Sequence, residues 1–363
     1  MTADTEPEKK QGGDDVADLK TAATSTVTEG DRQAPTTDES ALQAESEQDF
    51  PDDDSAIGDD AASSTASINS SIMAYRTENG RTYHAFRESM SLYGCYEHGL
   101  IEGDLQHHLF TLTLGGKLYL SPIGDDKPLS RALDAGTGTG VWAIDFADAH
   151  PETEVIGIDL SPIQPNFLPT NLQFQVDDLE DEWTFSYNFD FIFARMMTGS
   201  IGDFPKFFTQ SFKALSPGGW VECQDITFPA QCDDGTLKKD SYIDQWSSLM
   251  IEATNKFGRT AESAKFYKQQ MIDAGFVNVT EVVYKWPTNR WPADPYYKEL
   301  GFWCNHNIAG ELSGLSMVLF TRGLGWSPEE VEVFLAKVRT DMKDRHIHAW
   351  WPIHVVYGQK PEA

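Results

Sequence analysis

The chain has 363 residues, of which 57 are acidic and 28 basic, for a formal net charge of −29. So acidic a surface repels phosphate backbones and anionic lipid heads, which argues against direct binding to nucleic acid or to a membrane surface. No uncharged apolar run approaches the roughly 20 residues that cross a bilayer, and the first 30 residues hold no apolar signal core, so a chain that is not secreted by that route is expected, in the cytoplasm or the nucleus.

The charge is unevenly placed. Residues 1 to 70 carry 18 acids against 4 bases and a single aromatic, Phe50. Such a segment buries too little apolar surface to offset the entropy of ordering, and it reads as a disordered acidic tail. Residues 71 to 363 are rich enough in aromatics for one large domain. Cys95, Cys223, Cys232 and Cys304 lie far apart with no CxxC pair, which fits reduced thiols and no zinc site.

Four segments follow in chain order. A lid spans residues 72 to 125, with a helix over 100 to 115 that lines up Leu105, Leu109, Leu112 and Thr113 before Gly115-Gly116. A core sheet region spans 130 to 286. Its strands are expected at 131 to 135, 154 to 159, 172 to 177, 189 to 195 and 219 to 225, and again from Phe276 to Trp286. Helices fall at about 140 to 149, at 204 to 215 with Pro217-Gly218-Gly219 as its stop, and at 237 to 257 and 261 to 274. A helical insertion runs over 287 to 351. In it Ser327-Pro328-Glu329-Glu330 is a capping box, followed by Val331, Phe334, Leu335, Val338 and Met342 at helical spacing. A last strand lies within 353 to 360. Alternating strand and helix imply an α/β fold, a mostly parallel Rossmann-like sheet with helices on both faces and its ligand at the carboxyl ends of the strands.

The chemistry concentrates at those ends. Leu133-Asp134-Ala135-Gly136-Thr137-Gly138-Thr139-Gly140 leaves a strand and enters a helix, so side chains are missing where a ligand lies against backbone. A dinucleotide fingerprint wants Gly or Ala at 141, where Val141 stands, and a pyrophosphate is badly served by a carboxylate as close as Asp134. Asp134 suits instead a ligand with an amino group and a positive charge, such as S-adenosylmethionine. The second strand ends at Asp159 in IGIDLSP, nineteen residues after Gly140, a spacing that suits a carboxylate on ribose hydroxyls. The third ends at Val176-Asp177-Asp178-Leu179, where one carboxylate suits the adenine amino group; taken singly, Asp177 and Asp178 read as solvated loop acids. The expected cofactor set is Asp134, Gly136, Thr137, Gly138, Gly140, Asp159, Leu160, Asp178, Leu179 and Arg195, with Tyr83 as part of an N-terminal cover.

LDAGTGTG, IGIDLSP, VDDLEDEW, FDFIFARM and LSPGGWVECQD resemble the ordered motifs of class I S-adenosylmethionine-dependent methyltransferases. More narrowly, YRTENGRTYHAF from Tyr75, DLQHHLF from Asp104 to Phe110, and HAWWPIHVVYGQKP from His348 to Pro361 are similar to fungal LaeA-like methyltransferases, some of which associate with velvet regulatory proteins. The resemblance covers about residues 72 to 361. It implies a seven-stranded sheet of order 3-2-1-4-5-7-6 with the seventh strand antiparallel, and it places Gly136, Gly138, Asp159, Asp178 and Leu179 on cofactor-contact positions.

Methyl transfer asks mainly for in-line positioning, plus a base if the acceptor is protonated. His306 and His107 are the leading candidate bases, with Asp225 just past the fifth strand as a rival; each is also readable as a structural or surface residue. Trp286, Trp291, Trp303, Trp350 and Trp351 make either an apolar acceptor pocket or a bulky core. His346-Ile347-His348 lacks a third ligand, so no metal is expected. The Asn/Asp-Pro-Pro-aromatic signature of planar-amine acceptors is absent after the fourth strand, where Ala194-Arg195-Met196-Met197-Thr198 stands. The leading expectation is an enzyme acting on a small metabolite or a protein side chain, which the LaeA-like resemblance links to fungal secondary metabolism. Its rival is a cofactor-binding regulatory partner of velvet-type proteins; a nicotinamide-dependent dehydrogenase fails at Val141 and Asp134.

Overall fold

A computed structural model describes residues 41–45, 76–78, 81–83, 99–124 and 128–362. A short antiparallel hairpin, β1 (Arg76–Glu78) and β2 (Arg81–Tyr83), precedes helix α1 (Gly99–Thr113). The alternating unit then follows in the expected order: β3 (Arg131–Ala135), α2 (Val141–Ala149), β4 (Glu154–Asp159), β5 (Leu172–Val176), β6 (Phe189–Arg195), α3 (Phe204–Ala214) and β7 (Leu215–Ile226). After it come β8 (Gln231–Cys232), α4 (Tyr242–Lys256), α5 (Tyr267–Ala274), β9 (Val277–Pro287), α6 (Pro295–Val318), α7 (Pro328–Lys343) and β10 (Ala349–Gln359).

The main sheet runs β5-β4-β3-β6-β7-β10-β9, which is the order the resemblance implies. β3 to β7 pair in parallel, and β10 is antiparallel to both β7 and β9. β8 adds a two-residue bridge to Ala349 and Trp350 at the start of β10. Aromatics pack under both faces. Trp142 of α2 stacks on Phe193 of β6 with ring centroids 3.7 Å apart, while Phe204, Phe207 and Phe208 of α3 cover the other face with Tyr267 and Met271 of α5. A third cluster joins α1, α4, α6 and α7 around Trp246, Trp286 and Trp351.

Local signals explain most boundaries. Asp203 caps α3 by accepting from the Lys206 N–H, Asp294 caps α6 by accepting from Tyr296 and Tyr297, and both directions of the Ser327–Glu330 capping box are made. The expected stop at Pro217-Gly218-Gly219 is corrected: α3 ends at Ala214, and those residues sit inside β7. A register slip against β6, from Phe189↔Leu215 to Phe191↔Trp220, absorbs them as a bulge.

Part of the acidic tail is paired. Ala44 bridges to Pro292, the Glu45 N–H donates to Trp291 O (3.0 Å), the Ala293 N–H donates to Gln43 O (2.8 Å), and Glu45 forms an ion pair with Lys298. Leu42 packs on the third cluster. Residues 41 to 45 therefore do not follow the disordered reading of 1 to 70; the other tail residues lie outside the described ones. The tryptophans divide as well: Trp286, Trp291 and Trp351 are core, and Trp303 and Trp350 are only half-buried.

Candidate cofactor and methyl-transfer site

Parallel register sets the geometry at the carboxyl edge. Ala135 of β3 lies opposite Ile158 of β4 and Ala194 of β6, so the next residues outward, Gly136, Asp159 and Arg195, form one row. Asp178 continues that row two residues beyond β5, and Asp225 lies one residue past the Arg195↔Gln224 pair.

The glycine turn is stitched to β4 through backbone. Gly136 and Thr137 both donate to Ile158 O (2.8 and 2.9 Å), and Gly140 donates to Thr137 O (2.9 Å). Gly138 donates to one oxygen of Asp159 (2.8 Å), whose other oxygen accepts from Ser161 (2.9 Å). Gly136, Gly138 and Gly140 all have positive φ, which only glycine adopts without strain. Their surroundings differ. A Cβ at Gly140 would meet Phe174 at 2.4 Å and one at Gly136 would meet Met197 Sδ at 2.3 Å, but one at Gly138 would meet nothing within 4 Å. Gly138 alone of the three faces open space.

Asp134 is buried under this turn and accepts from Thr137 Oγ1 (2.6 Å). Burial pushes its carboxyl up to about 7, against the pull of Thr137 and Arg195. Asp178 is buried and accepts from the Glu180 N–H (2.8 Å), whereas Asp177 is exposed; Leu179 beside them is buried. Glu180 pairs with the Arg259 guanidinium (2.6 Å), which also donates to Ser200 O, so the loop after β5 is tied to the loop after β6. Thr137 is buried, Leu160 half-buried, and the Tyr83 side chain lies outside the described residues.

Arg195 ends β6. Its guanidinium lies over the Phe110 ring (5.1 Å) and donates to His107 Nδ1 (3.1 Å), and His107 Nε2 lies 3.0 Å from Asp145. Burial and the Arg195 charge pull the His107 imidazole down to about 4. This corrects the expectation of a base at His107: a guanidinium only donates, so the imidazole lone pair is spent on Arg195.

Asp225 is corrected on similar grounds. One oxygen accepts from the Met197 N–H (3.0 Å), the Thr198 N–H (2.8 Å) and Tyr267 Oη (2.8 Å), and the other accepts from Ile226 (3.1 Å). Its carboxyl is enclosed and shapes the loop after β6, where Met196 holds a left-handed φ of 55°. His306, on α6, is exposed. Its Nδ1 lies 2.9 Å from Phe302 O, and since a carbonyl only accepts, Nδ1 carries the proton and Nε2 the lone pair. His346 and His348 face separate carboxylates, Asp344 (2.8 Å) and Asp234 (2.5 Å).

Three residues of this neighbourhood escaped the sequence reading. Gln164 donates to Gly138 O (2.7 Å) and Ser161 O (2.8 Å), pinning the turn from the β4 side; a polar amide in a loop gives no signal of this. Glu222 accepts from Leu120 (2.9 Å) and Ser121 (2.7 Å), anchoring the lid connection to β7. Asp145 was detectable as a charge inside the otherwise mostly apolar helix Val141–Ala149.

This sheet order, with a glycine turn after the first core strand and an acid ending the second, defines a class I methyltransferase. The methyltransferase domain family matches residues 105–281. The chain is 38% identical over 304 residues to methyltransferase pytC of Aspergillus terreus, covering 83% of this chain and 93% of that protein. It is 36% identical to the secondary metabolism regulator LAE1 of Cochliobolus heterostrophus, over 78% of this chain and 94% of that one, and 32% identical to the protein-methionine methyltransferase laeA of Emericella nidulans, over 84% and 81%. The chain belongs to the LaeA-like S-adenosylmethionine-dependent methyltransferases.

Proposed function

We propose that this methyltransferase holds S-adenosylmethionine along the row Asp178, Asp159, Gly136, Arg195 and passes its methyl group to a small, apolar or aromatic metabolite. The observation that supports it most is the open space at Gly138, whose N–H is held by Asp159 at the end of the neighbouring strand. Strand order sets the ligand's direction. The adenine end falls at Asp178 and the Leu179 backbone, the ribose at Asp159, and the amino-acid end at Asp134 and Arg195. Asp134 is matched to an ammonium and Arg195 to a carboxylate. The cofactor, when bound, supplies a methyl already activated on a sulfonium. What remains for the chain is to orient an acceptor in line and to exclude water.

Phe302, Trp303 and His306 on α6, with His108 on α1 against Trp303 (5.0 Å between ring centroids), offer the acceptor an aromatic wall. His306 Nε2 is the base we assign for an acceptor that must lose a proton. Membership among proteins named as secondary metabolism regulators favours a second reading, in which the domain also serves a regulatory partner of the velvet type. Free, buried Cys223 and Cys304 suit a reducing compartment, and we place the protein in the cytoplasm or nucleus.

Calorimetric titration should show binding of S-adenosylmethionine and none of NAD; the reverse result defeats the reading. With labelled cofactor and a metabolite extract, label should move to a small product. Label that stays on the cofactor would leave the regulatory reading in place of the enzymatic one.

A further inference from the structure

Helix α1 meets the sheet through polar contacts in an apolar setting: Trp286 Nε1 of β9 donates to Thr113 Oγ1 (2.7 Å), and His107 reaches the end of β6. His107 is buried, with its ring against the end of β6. Its ring bridges two elements that share no backbone pairing: Nδ1 faces Arg195 at the end of β6, and Nε2 faces Asp145 in the middle of α2. The donors decide the tautomer. Arg195 can only give a hydrogen bond, so Nδ1 must accept, and Nε2 must then carry the proton that Asp145 accepts.

We propose that His107 is a positioning residue: held by Asp145 as the neutral Nε2–H tautomer, it aims its Nδ1 lone pair at Arg195 and keeps that guanidinium at the amino-acid end of the cofactor crevice. The proposal rests on the cofactor reading above. Two aromatic rings, Phe110 at 5.1 Å and Phe193 at 6.0 Å, flank the guanidinium and restrain its plane, but ring faces leave rotation within that plane free. A directional acceptor is what fixes it, and among the described residues His107 supplies one. The imidazole stays neutral because burial, Arg195 and neighbouring His108 all pull its pKa down. A protonated ring would set a second donor against the guanidinium and undo the alignment. Asp145, half-exposed, with an acidity weakened by partial burial and by Asp148, remains the partner that orients the imidazole from the α2 side. One hydrogen-bond relay thus couples the lid helix, the first crossover helix and the fourth core strand to a single charge.

Two ligands separate this role from a merely structural one. S-adenosylhomocysteine carries the amino-acid end; 5′-methylthioadenosine has the same adenosine and sulfur without it. With the full chain, His107→Ala should weaken S-adenosylhomocysteine by about tenfold to hundredfold, the loss expected when a buried charged group is deprived of a partner, and should change 5′-methylthioadenosine by less than about twofold. His107→Gln, whose amide oxygen can accept from Arg195 while its nitrogen donates to Asp145, should recover most of the loss. Asp145→Ala should move the same ligand in the same direction by a smaller factor, and it decides the question if His107→Ala fails to fold by circular dichroism. Equal weakening of both ligands, weakening of neither, or no recovery with Gln would overturn the proposal. An unaltered chain that binds neither ligand would instead remove the cofactor reading, and the proposal with it.

Discussion

The acid that ends β4 sits half-buried beside the open space at Gly138, and the acids of β7 are enclosed. Asp159 is half-buried; one of its oxygens accepts from the Gly138 N–H and the other from the Ser161 N–H. Asp225 is enclosed and receives three donors on a single oxygen. Glu222, three strand positions earlier, is committed to Leu120, Ser121 and Gln224. Similar carboxylates on one sheet thus take opposite roles. Asp159 holds the glycine turn and stays half-buried beside it, while Asp225 and Glu222 are enclosed and order the loop after β6 and the lid connection. Position at a strand end does not by itself mark a ligand site: burial and the number of donors on one oxygen separate Asp225 from Asp159.

The sharpest break of that comparison is Asp225→Ala. It strands the Met197 and Thr198 N–H groups and Tyr267 Oη in the interior, and denaturant unfolding should show a loss of about 3 kcal/mol or more. Asp159→Ala should act the other way round, weakening S-adenosylmethionine by about 1 to 3 kcal/mol in calorimetry with a smaller change in melting temperature; unchanged affinity would put Asp159 in the same structural class as Asp225. Among the glycines, Gly140→Ala should lose more stability than Gly138→Ala because Phe174 blocks the new Cβ, while Gly138→Ala should lose more affinity because it fills open space. Paired melting and binding curves read both.

The pH dependence tests Asp134 alone. An ammonium partner favours the carboxylate form, and burial has pushed that carboxyl up to about 7, so affinity should fall as pH drops from 8 to 6. The slope is bounded at about tenfold per unit for one proton, and it should vanish in Asp134→Asn. Asp225, also held at about 7, is enclosed away from the crevice and should leave the binding slope in place. The smallest effect belongs to the tail. Deleting residues 1 to 40 should leave the melting temperature unchanged, and deleting 1 to 70 should lower it slightly, by the contacts of Leu42, Ala44 and Glu45.

How far the sequence could be read varied with the range of the interaction. The ends of β3, β4 and β6 fall where apolar runs meet Gly, Asp or Arg, and the Ser327 cap marks α7 to the residue. The insertion reads as helical, but the bounds of the 24-residue helix α6 within it went unread. It is buried on several sides, so its apolar residues form no single stripe, and Gly301 sits where a Cβ would meet Asn289 O at 2.0 Å. That close approach forbids the residue types that advertise a helix. The Asp294-Pro295 cap was the available signal, and it is short.

What the amino-acid order determined by itself was the alternation of strand and helix, the glycine turn and the acids that close β4 and β5. These depend on periodicity and on backbone conformations that few residues adopt. Only the tertiary structure decided what each polar group does there. Glu222 meets Leu120 across 102 residues, Arg195 meets His107 across 88, and Glu45 meets Lys298 across 253. Hydrogen bonding is short-ranged and directional, so a donor and its acceptor find each other only after packing has brought distant segments together, and no local pattern records the match.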